Sequence, residues 1–326
     1  KAVETSIENS RTAPGRIRVA VCDTDAARMC EAVDRFEFDD GYTDVASLRR
    51  DFRPDTAMLI VPIDVTWPMV QTFLPDRIPL LIEKPLATDA RESAEVSAAI
   101  ESAGVDAVVG YTQRFRRRFL VVKERIQTGQ IGDVTAAVTR AFMNRMAPTG
   151  EVRLTQDRRF LTPMVVSGTH SLDMCLWLMG DAAKPASVYA RSTEKVMSEL
   201  GTKDATFGVF TMEDGTIWSM NICWALPKEW PGAVYGLEIG IVGTKGVIDI
   251  EDTHRDVILA TEMPQGPAYN PDGLSIEVER NVDFLTSFPP GDTHGGELWG
   301  PMREETNTWF QRIYNKKDTP HATAAE

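Results

Sequence analysis

The sequence predicts an α/β chain of two units: a doubly wound parallel sheet, then an α+β unit with a large, mainly antiparallel sheet. Three observations carry this. Strand and helix signals alternate through the first third, the pattern of a right-handed parallel sheet. The alternation stops near Gly132, and most apolar runs beyond it are strand-like and separated by turn signals. The length, 326 residues, is more than one core usually holds and suits two.

Ile17 to Cys22 reads as a strand, and Asp25 to Phe36 as a helix with an acid at its start. Thr56 to Val61 is the next strand, followed by a helix near Trp67 to Phe73. Pro79 to Ile82 is a short apolar strand, and Asp89 to Ala103 a helix stopped by Gly104. Asp106 to Gly110 and Phe115 to Thr128 complete the alternation as strand and helix. In the second unit, Val134 to Met143 is strand-like and His170 to Met179 helical. Ala186 to Arg191, Ala205 to Met212, Thr216 to Trp224, Leu237 to Val242, Val247 to Ile250 and Asp256 to Ala260 read as strands. Turn signals at Glu213 to Thr216 and Gly243 to Gly246 separate some of them. The boundary falls within residues 112 to 132, dividing the chain into 1–114 and 115–326.

Composition narrows the function classes. With 43% hydrophobic and 25% charged residues, the chain is an ordinary globule. It has no apolar run of membrane-spanning length, and Lys1 to Arg16 lacks a signal-peptide core. A net charge of -13 argues against nucleic acid and anionic membranes as partners. The basic run Arg114 to Arg118 reads as a solvated helix face, at least from Arg116 to Arg118. Four cysteines, Cys22, Cys30, Cys175 and Cys223, show no metal or redox spacing; free thiols in a reducing cytoplasm fit them, and no metal site is expected.

Ile78 to Leu86 carries the chemistry. The apolar run stops at Glu83-Lys84-Pro85, and proline ends strand pairing, so Glu83 and Lys84 sit at the carboxyl end of a parallel strand. Ligands bind at that edge in open α/β sheets. A lysine held there in part desolvation can exchange protons near neutrality. Arg18 to Asp23 reads as another strand, ending in an acid where such sheets hold the adenosine ribose hydroxyls; Asp23 therefore favours NAD over NADP. Its plainer reading is a turn or N-cap residue.

No G-x-G-x-x-G turn exists near the N-terminus. Lys1 to Ala13 reads as a helix remnant stopped by Pro14-Gly15, and Thr323 to Glu326 forms an S/T-x-x-E capping box. The sequence is therefore expected to be a trimmed piece of a longer protein.

Glu83-Lys84-Pro85, followed after a helix and strand by Gly110-Tyr111-Thr112-Gln113-Arg114-Phe115, resembles the glucose-fructose oxidoreductase / inositol dehydrogenase / MocA (Gfo/Idh/MocA) family. Ile131-Gly132-Asp133-Val134, Gly168-Thr169-His170 running to Asp173 and Trp177-Leu178-Met179-Gly180, and Gly243-Thr244-Lys245-Gly246 resemble its later motifs. The resemblance implies a Rossmann-type domain and a nicotinamide-dependent enzyme acting on a small molecule: a sugar, polyol or cyclic diol. It implies catalytic Lys84 and His170, and a cofactor lined by Asp23, Pro62, Ile63, Glu83, Lys84 and Gln113. Tyr111, Arg114, Arg158 and Asp173 would face the substrate, and a homo-oligomer, dimer or tetramer, is expected.

Oxidising an alcohol needs a hydride acceptor and a proton acceptor. Lys84 would hydrogen-bond the reacting oxygen. His170, at a helix start, would stay neutral and accept the proton; packing on a helix end is its bland alternative. Asp173 either orients His170 or, the preferred reading, is structural. The aspartate that many family polyol dehydrogenases carry four residues before the histidine is Val166 here, which cannot relay a proton. That favours a substrate other than a simple sugar; Arg158 or Arg159 would bind a carboxylate on it or, equally, sit exposed to solvent. Trp224 and Trp230 would line an apolar pocket, or be core. The rival is a catalytically silent sensor on the same scaffold, favoured by Val166 and the missing glycine turn.

Overall fold

The computed structural model describes residues 17–146, 148–149, 152, 161–180, 183–232, 234–251, 257–265, 280–284 and 290–326. In the first unit β1 (Ala20–Cys22) pairs in parallel with β2 (Asp40–Tyr42). β3 (Ala57–Leu59), β4 (Leu80–Glu83) and β5 (Ala107–Gly110) form a parallel set. Among the described residues no strand joins β1 to β3, so the sheet is in two parts. α1 (Ala26–Phe36), α2 (Ile63–Phe73) and α3 (Ala90–Ala103) connect the strands.

Local chemistry explains the boundaries. Asp25 caps α1 by accepting from the Ala27 and Arg28 amides, which holds its carboxyl below the usual range. Asp89 caps α3 through the Glu92 amide, and Gly104 ends it at φ 66°, the left-handed backbone that glycine adopts without strain. α2 starts a turn before Trp67, straight after Pro62; Pro68 lies inside the helix and masks it in the sequence.

β4 is buried on both faces, as a doubly wound sheet requires. Leu80 and Ile82 point into a core with Leu59, Val70, Phe73, Val96 and Ile100. Leu81 points the other way, against Val108, Trp309, Phe310 and Ile313. Each such side chain removed from water is worth about 1.5–3 kcal/mol. The last three belong to α6 (Pro301–Asn315), a helix the sequence reading missed. The segment after α6 forms a short strand, Ala322–Thr323, antiparallel to β5. Residues 301–326, assigned by sequence to the second unit, thus pack on the first sheet. The expected capping box forms: the Thr323 amide donates to Glu326 Oε2 at 2.9 Å, and the Glu326 amide to Thr323 Oγ1 at 3.4 Å.

The second unit is a six-stranded sheet in the order β11-β10-β6-β9-β8-β7. Its strands are β6 (Val134–Asn144), β7 (Pro185–Thr193), β8 (Ala205–Met212), β9 (Ile217–Leu226), β10 (Val234–Gly243) and β11 (Gly246–Glu251). Only β6 and β9 run parallel, so the sheet is mainly antiparallel as expected. α4 (Arg117–Gln127) and α5 (Thr169–Met179) cover one face, burying Phe119, Cys175, Leu178, Trp218, Ile222 and Ile241. Across the opposite surface Tyr189, Phe207, Val209 and Val138 are exposed. The strand expected at Asp256 to Ala260 is observed as Ile258–Gln265, pairing with Arg280–Phe284. The proposed N-terminal helix remnant lies outside the described residues.

His321, just before the C-terminal strand Ala322–Thr323, is buried against Phe115, with ring centroids 4.5 Å apart. Its Nε2 donates to the Glu305 carbonyl at 3.2 Å, and its Nδ1 accepts from the Thr319 hydroxyl at 2.9 Å. Burial pushes its pKa down to about 4, against the cation-favouring bond to Glu305. Between that value and 6.5 the unfolded chain binds a proton that the folded chain refuses, so stability is complete above about pH 6.5 and falls on acidification. The full effect is up to about 3 kcal/mol. His321→Gln should flatten the decline in melting temperature between pH 7 and 4; melts at intermediate pH check this, and an unchanged slope refutes it.

Candidate active site

Lys84 follows the last residue of β4, where Pro85, lacking an N–H, ends the ladder. Its ammonium donates to the Val166 carbonyl at 3.4 Å, linking the parallel sheet to the turn Pro163–Gly168 that leads into α5. Ile63, at the start of α2, reinforces this junction: its side chain is buried with Val152, Leu161, Val166, Met197 and Trp224. Trp224 is therefore core, and its indole donates to Ser167 Oγ at 2.8 Å.

His170 is the second residue of α5. Its ring packs edge-on to Tyr111 with centroids 6.0 Å apart, and the Tyr111 hydroxyl bonds Thr169 Oγ1 at 2.6 Å. Burial, then the charges of Lys84 and Arg116, hold its pKa well below 6.5. The imidazole is neutral, as the sequence predicts, but burial and two cations are the cause. Its Nδ1 is buried without a hydrogen-bond partner among the described residues. Asp173 does not orient it.

Asp173 instead pairs with Arg114. The guanidinium Nε lies 3.1 and 3.0 Å from the two carboxylate oxygens, and Nη2 lies 2.6 Å from one of them. Arg114 Nη1 also reaches the Pro320 carbonyl at 3.2 Å and Glu326 at 3.3 Å. Burial raises the Asp173 pKa to about 6, against the pull of Arg114. Both residues, expected to face the substrate, are thus engaged with each other in the interior. Arg116, expected on a solvated face, is 8% exposed, and burial lowers its pKa to about 10; only Arg117 and Arg118 are exposed.

Along the cofactor edge, Glu83 Oε2 lies 2.9 Å from where a Cβ on Gly110 would sit, so only glycine fits there without displacing the carboxylate. Gln113 is buried in the 3-10 turn Thr112–Phe115, and its Oε1 has no partner among the described residues. Such an orphaned acceptor, at the carboxyl ends of parallel strands, suits an amide-bearing ligand. Pro62 is exposed at the mouth of α2. Asp23 is half-exposed at the end of β1, and its Oδ1 accepts from the Asp25 amide at 2.8 Å, the turn geometry of its plainer reading. Arg158 lies outside the described residues, as does Arg159.

The sequence reading missed Glu305. It enters from α6, is 4% exposed, and accepts from Thr112 Oγ1 at 2.8 Å. Nothing near it in sequence marks it; only folding α6 back onto the turn does so. Among the described residues no cluster of three or more metal-ligating side chains is present, and no helix is long and apolar enough to cross a membrane.

The electrostatics change what His170 should do. A side chain whose cation is disfavoured by burial and by Lys84 does not titrate near pH 6.5, where free histidine does. His170→Asn should lower turnover without altering the shape of the rate profile in that range. An acid limb near pH 6.5 that vanishes in the variant would refute this.

Residues 5–111 match the model of an oxidoreductase family with an NAD-binding Rossmann fold, and residues 119–249 the Gfo/Idh/MocA C-terminal domain. The uncharacterized oxidoreductase YrbE of Bacillus subtilis is 24% identical over 245 residues, covering 74% of this chain and 68% of YrbE. Inositol 2-dehydrogenase 4 of Saccharopolyspora erythraea is 29% identical over 192 residues, covering 58% of this chain and 54% of that relative. The scyllo-inositol dehydrogenase of Lactobacillus casei, solved with NAD(H) and scyllo-inositol, shares the fold at a TM-score of 0.73 and 16% identity, over 99% of this chain and 88% of that one. The chain belongs to the Gfo/Idh/MocA family of NAD-binding oxidoreductases.

Proposed function

We propose that this protein is an NAD-dependent dehydrogenase that oxidises a secondary alcohol of a polyol or sugar, or reduces the corresponding carbonyl. The observation that carries the reading is the meeting of Lys84 and His170, from different units, at the carboxyl edge of the parallel sheet. Nicotinamide, when bound, supplies the hydride acceptor. Glu83, Lys84, Gln113 and the backbone at Gly110 would hold the nicotinamide end, and Asp23 the ribose hydroxyls.

Lys84, fixed by the Val166 carbonyl, has ammonium protons left to donate to the substrate oxygen and so to stabilise charge developing there. His170 takes the hydroxyl proton on a neutral ring nitrogen. Its imidazolium is disfavoured, so the proton is held briefly and passes on. Val166 leaves no carboxylate to stabilise that cation, and its side chain packs in the core between the units. Two cations, Lys84 and Arg116, act on His170. They favour a substrate that brings negative charge of its own, such as a carboxylated diol. The sensing alternative has no comparable observation behind it.

The test is a panel of inositols, sugars, sugar acids and aromatic diols with NAD and NADP, read at the nicotinamide absorbance. NAD should be preferred, and Lys84→Met should cut turnover by about two orders of magnitude with the fold intact. Near-normal turnover in that variant would remove Lys84 from the mechanism.

We further read the open surface of the six-stranded sheet as a homo-oligomer contact. Tyr189, Phe207 and Val209 expose apolar area together on one face of the adjacent strands β7 and β8. Phe207→Glu should shift the molecular mass seen in light scattering toward the monomer; a wild-type monomer refutes the reading.

A further inference from the structure

Glu305 is an acid in an acidic place. Its Oε2 accepts from the Thr112 hydroxyl, whereas its Oε1 is buried with no partner among the described residues. An ionised carboxylate presents several lone pairs that need donors, and a single hydroxyl does not meet them. The charged groups around it make matters worse. Glu83 at the end of β4 and Asp173 on α5 both act on it as negative charges. Arg114, the cation of the same region, is bonded to Asp173, Pro320 and Glu326. Arg303, on the same helix, lies over the Trp299 ring at 4.4 Å and 3.5 Å from Glu297. His321 is neutral and donates to the Glu305 backbone carbonyl.

Thr112 opens the 3-10 turn that carries Gln113 and Arg114, directly after Tyr111. Tyr111 in turn bonds Thr169, beside His170. The Thr112–Glu305 bond is thus the side-chain tie between α6 and the turn that shapes the site. We propose that Glu305 is a positioning residue that works as a neutral carboxylic acid: through Thr112 it holds the turn, and with it Tyr111 and Gln113, against α6, and loss of its proton leaves a buried charge that Glu83 and Asp173 repel, which drives the carboxylate out of its place and releases the turn. The inference rests on the dehydrogenase reading of the same site.

Burial, with Glu83 and Asp173 behind it and the Thr112 bond opposing, pushes the Glu305 pKa up to about 8. The release therefore belongs to mildly alkaline solution. The folded chain keeps a proton that the unfolded chain gives up near pH 4.5. Stability from this group is therefore full below about that pH and is lost as pH rises toward 8.

The test uses the full chain, Glu305→Gln and Thr112→Val, with melting temperatures and kcat/KM for NAD and myo-inositol from pH 5 to 9. The wild type should lose kcat/KM about tenfold per pH unit above about pH 8. Glu305→Gln should keep turnover at pH 7 within a few-fold and show no alkaline decline. Thr112→Val, which cuts the tie at every pH, should already have a lowered kcat/KM at pH 7 and show no further alkaline decline. A decline identical in the wild type and Glu305→Gln overturns the proposal. If Glu305→Gln does not fold, a wild-type rate at pH 7 with a wild-type alkaline decline in Thr112→Val overturns it. In the melts, the wild type should lose stability between about pH 5 and 8 where Glu305→Gln does not; equal losses overturn the proposal. A chain inactive on every polyol, with the melting difference intact, sinks the dehydrogenase reading and supports the neutral carboxyl.

Discussion

One buried guanidinium ties the site together. Arg114 is held bidentately by Asp173 from α5 and accepts no exposure of its own; its remaining donors reach the Pro320 carbonyl and Glu326 in the C-terminal segment. Three parts of the chain distant in sequence, the turn after β5, the helix of His170 and the strand added to the first sheet, thereby share one charge. Removing one partner of a buried ion pair typically costs about 3–5 kcal/mol, because the other is left charged in the interior. The indole of Trp177 lies 5.5 Å from the same guanidinium and closes its apolar side.

The clamp explains the electrostatic asymmetry around it. With Arg114 engaged by Asp173 and Glu326, the next acid inward, Glu305, finds only a hydroxyl. On the other side, Lys84 and Arg116 stand near a histidine that no carboxylate supports. Acidic groups, Glu83 and Asp173, thus act on Glu305, and cations, Lys84 and Arg116, on His170. A reaction that moves a hydride and develops negative charge on oxygen gains from that polarity, because the donors are already in place when the charge forms.

Much of this was legible in the sequence. The strand ending at Glu83-Lys84-Pro85 could be read because three local signals agree: an apolar run, a proline stop and polar residues between them. His170 was legible through its helix-start motif. The roles of Arg114 and Asp173 were not, because spacing places them near the site but cannot say that they face each other rather than a ligand. Arg116 was misread because a run of arginines looks solvated until one is folded under the turn. Glu305 had no local signature: α6 packs across Leu81 and Val108 only after the chain returns to the first sheet, a contact nearly 200 residues long-range.

The substitution at Val166 has a structural reason that follows from the same packing. Its side chain sits with Ile63, Leu161, Met197 and Trp224 in the apolar seam between the two units, and its carbonyl holds Lys84. A carboxylate in that seam would be desolvated with no cation bonded to it other than the lysine already engaged by the backbone. The position therefore trades a proton-relaying group for apolar packing that fixes how the units meet. What remains for proton handling is a neutral imidazole whose Nδ1 is sealed from solvent and whose charged form is opposed from two directions. In the proposed mechanism such a ring would not store the proton, so its onward transfer would matter as much as its acceptance.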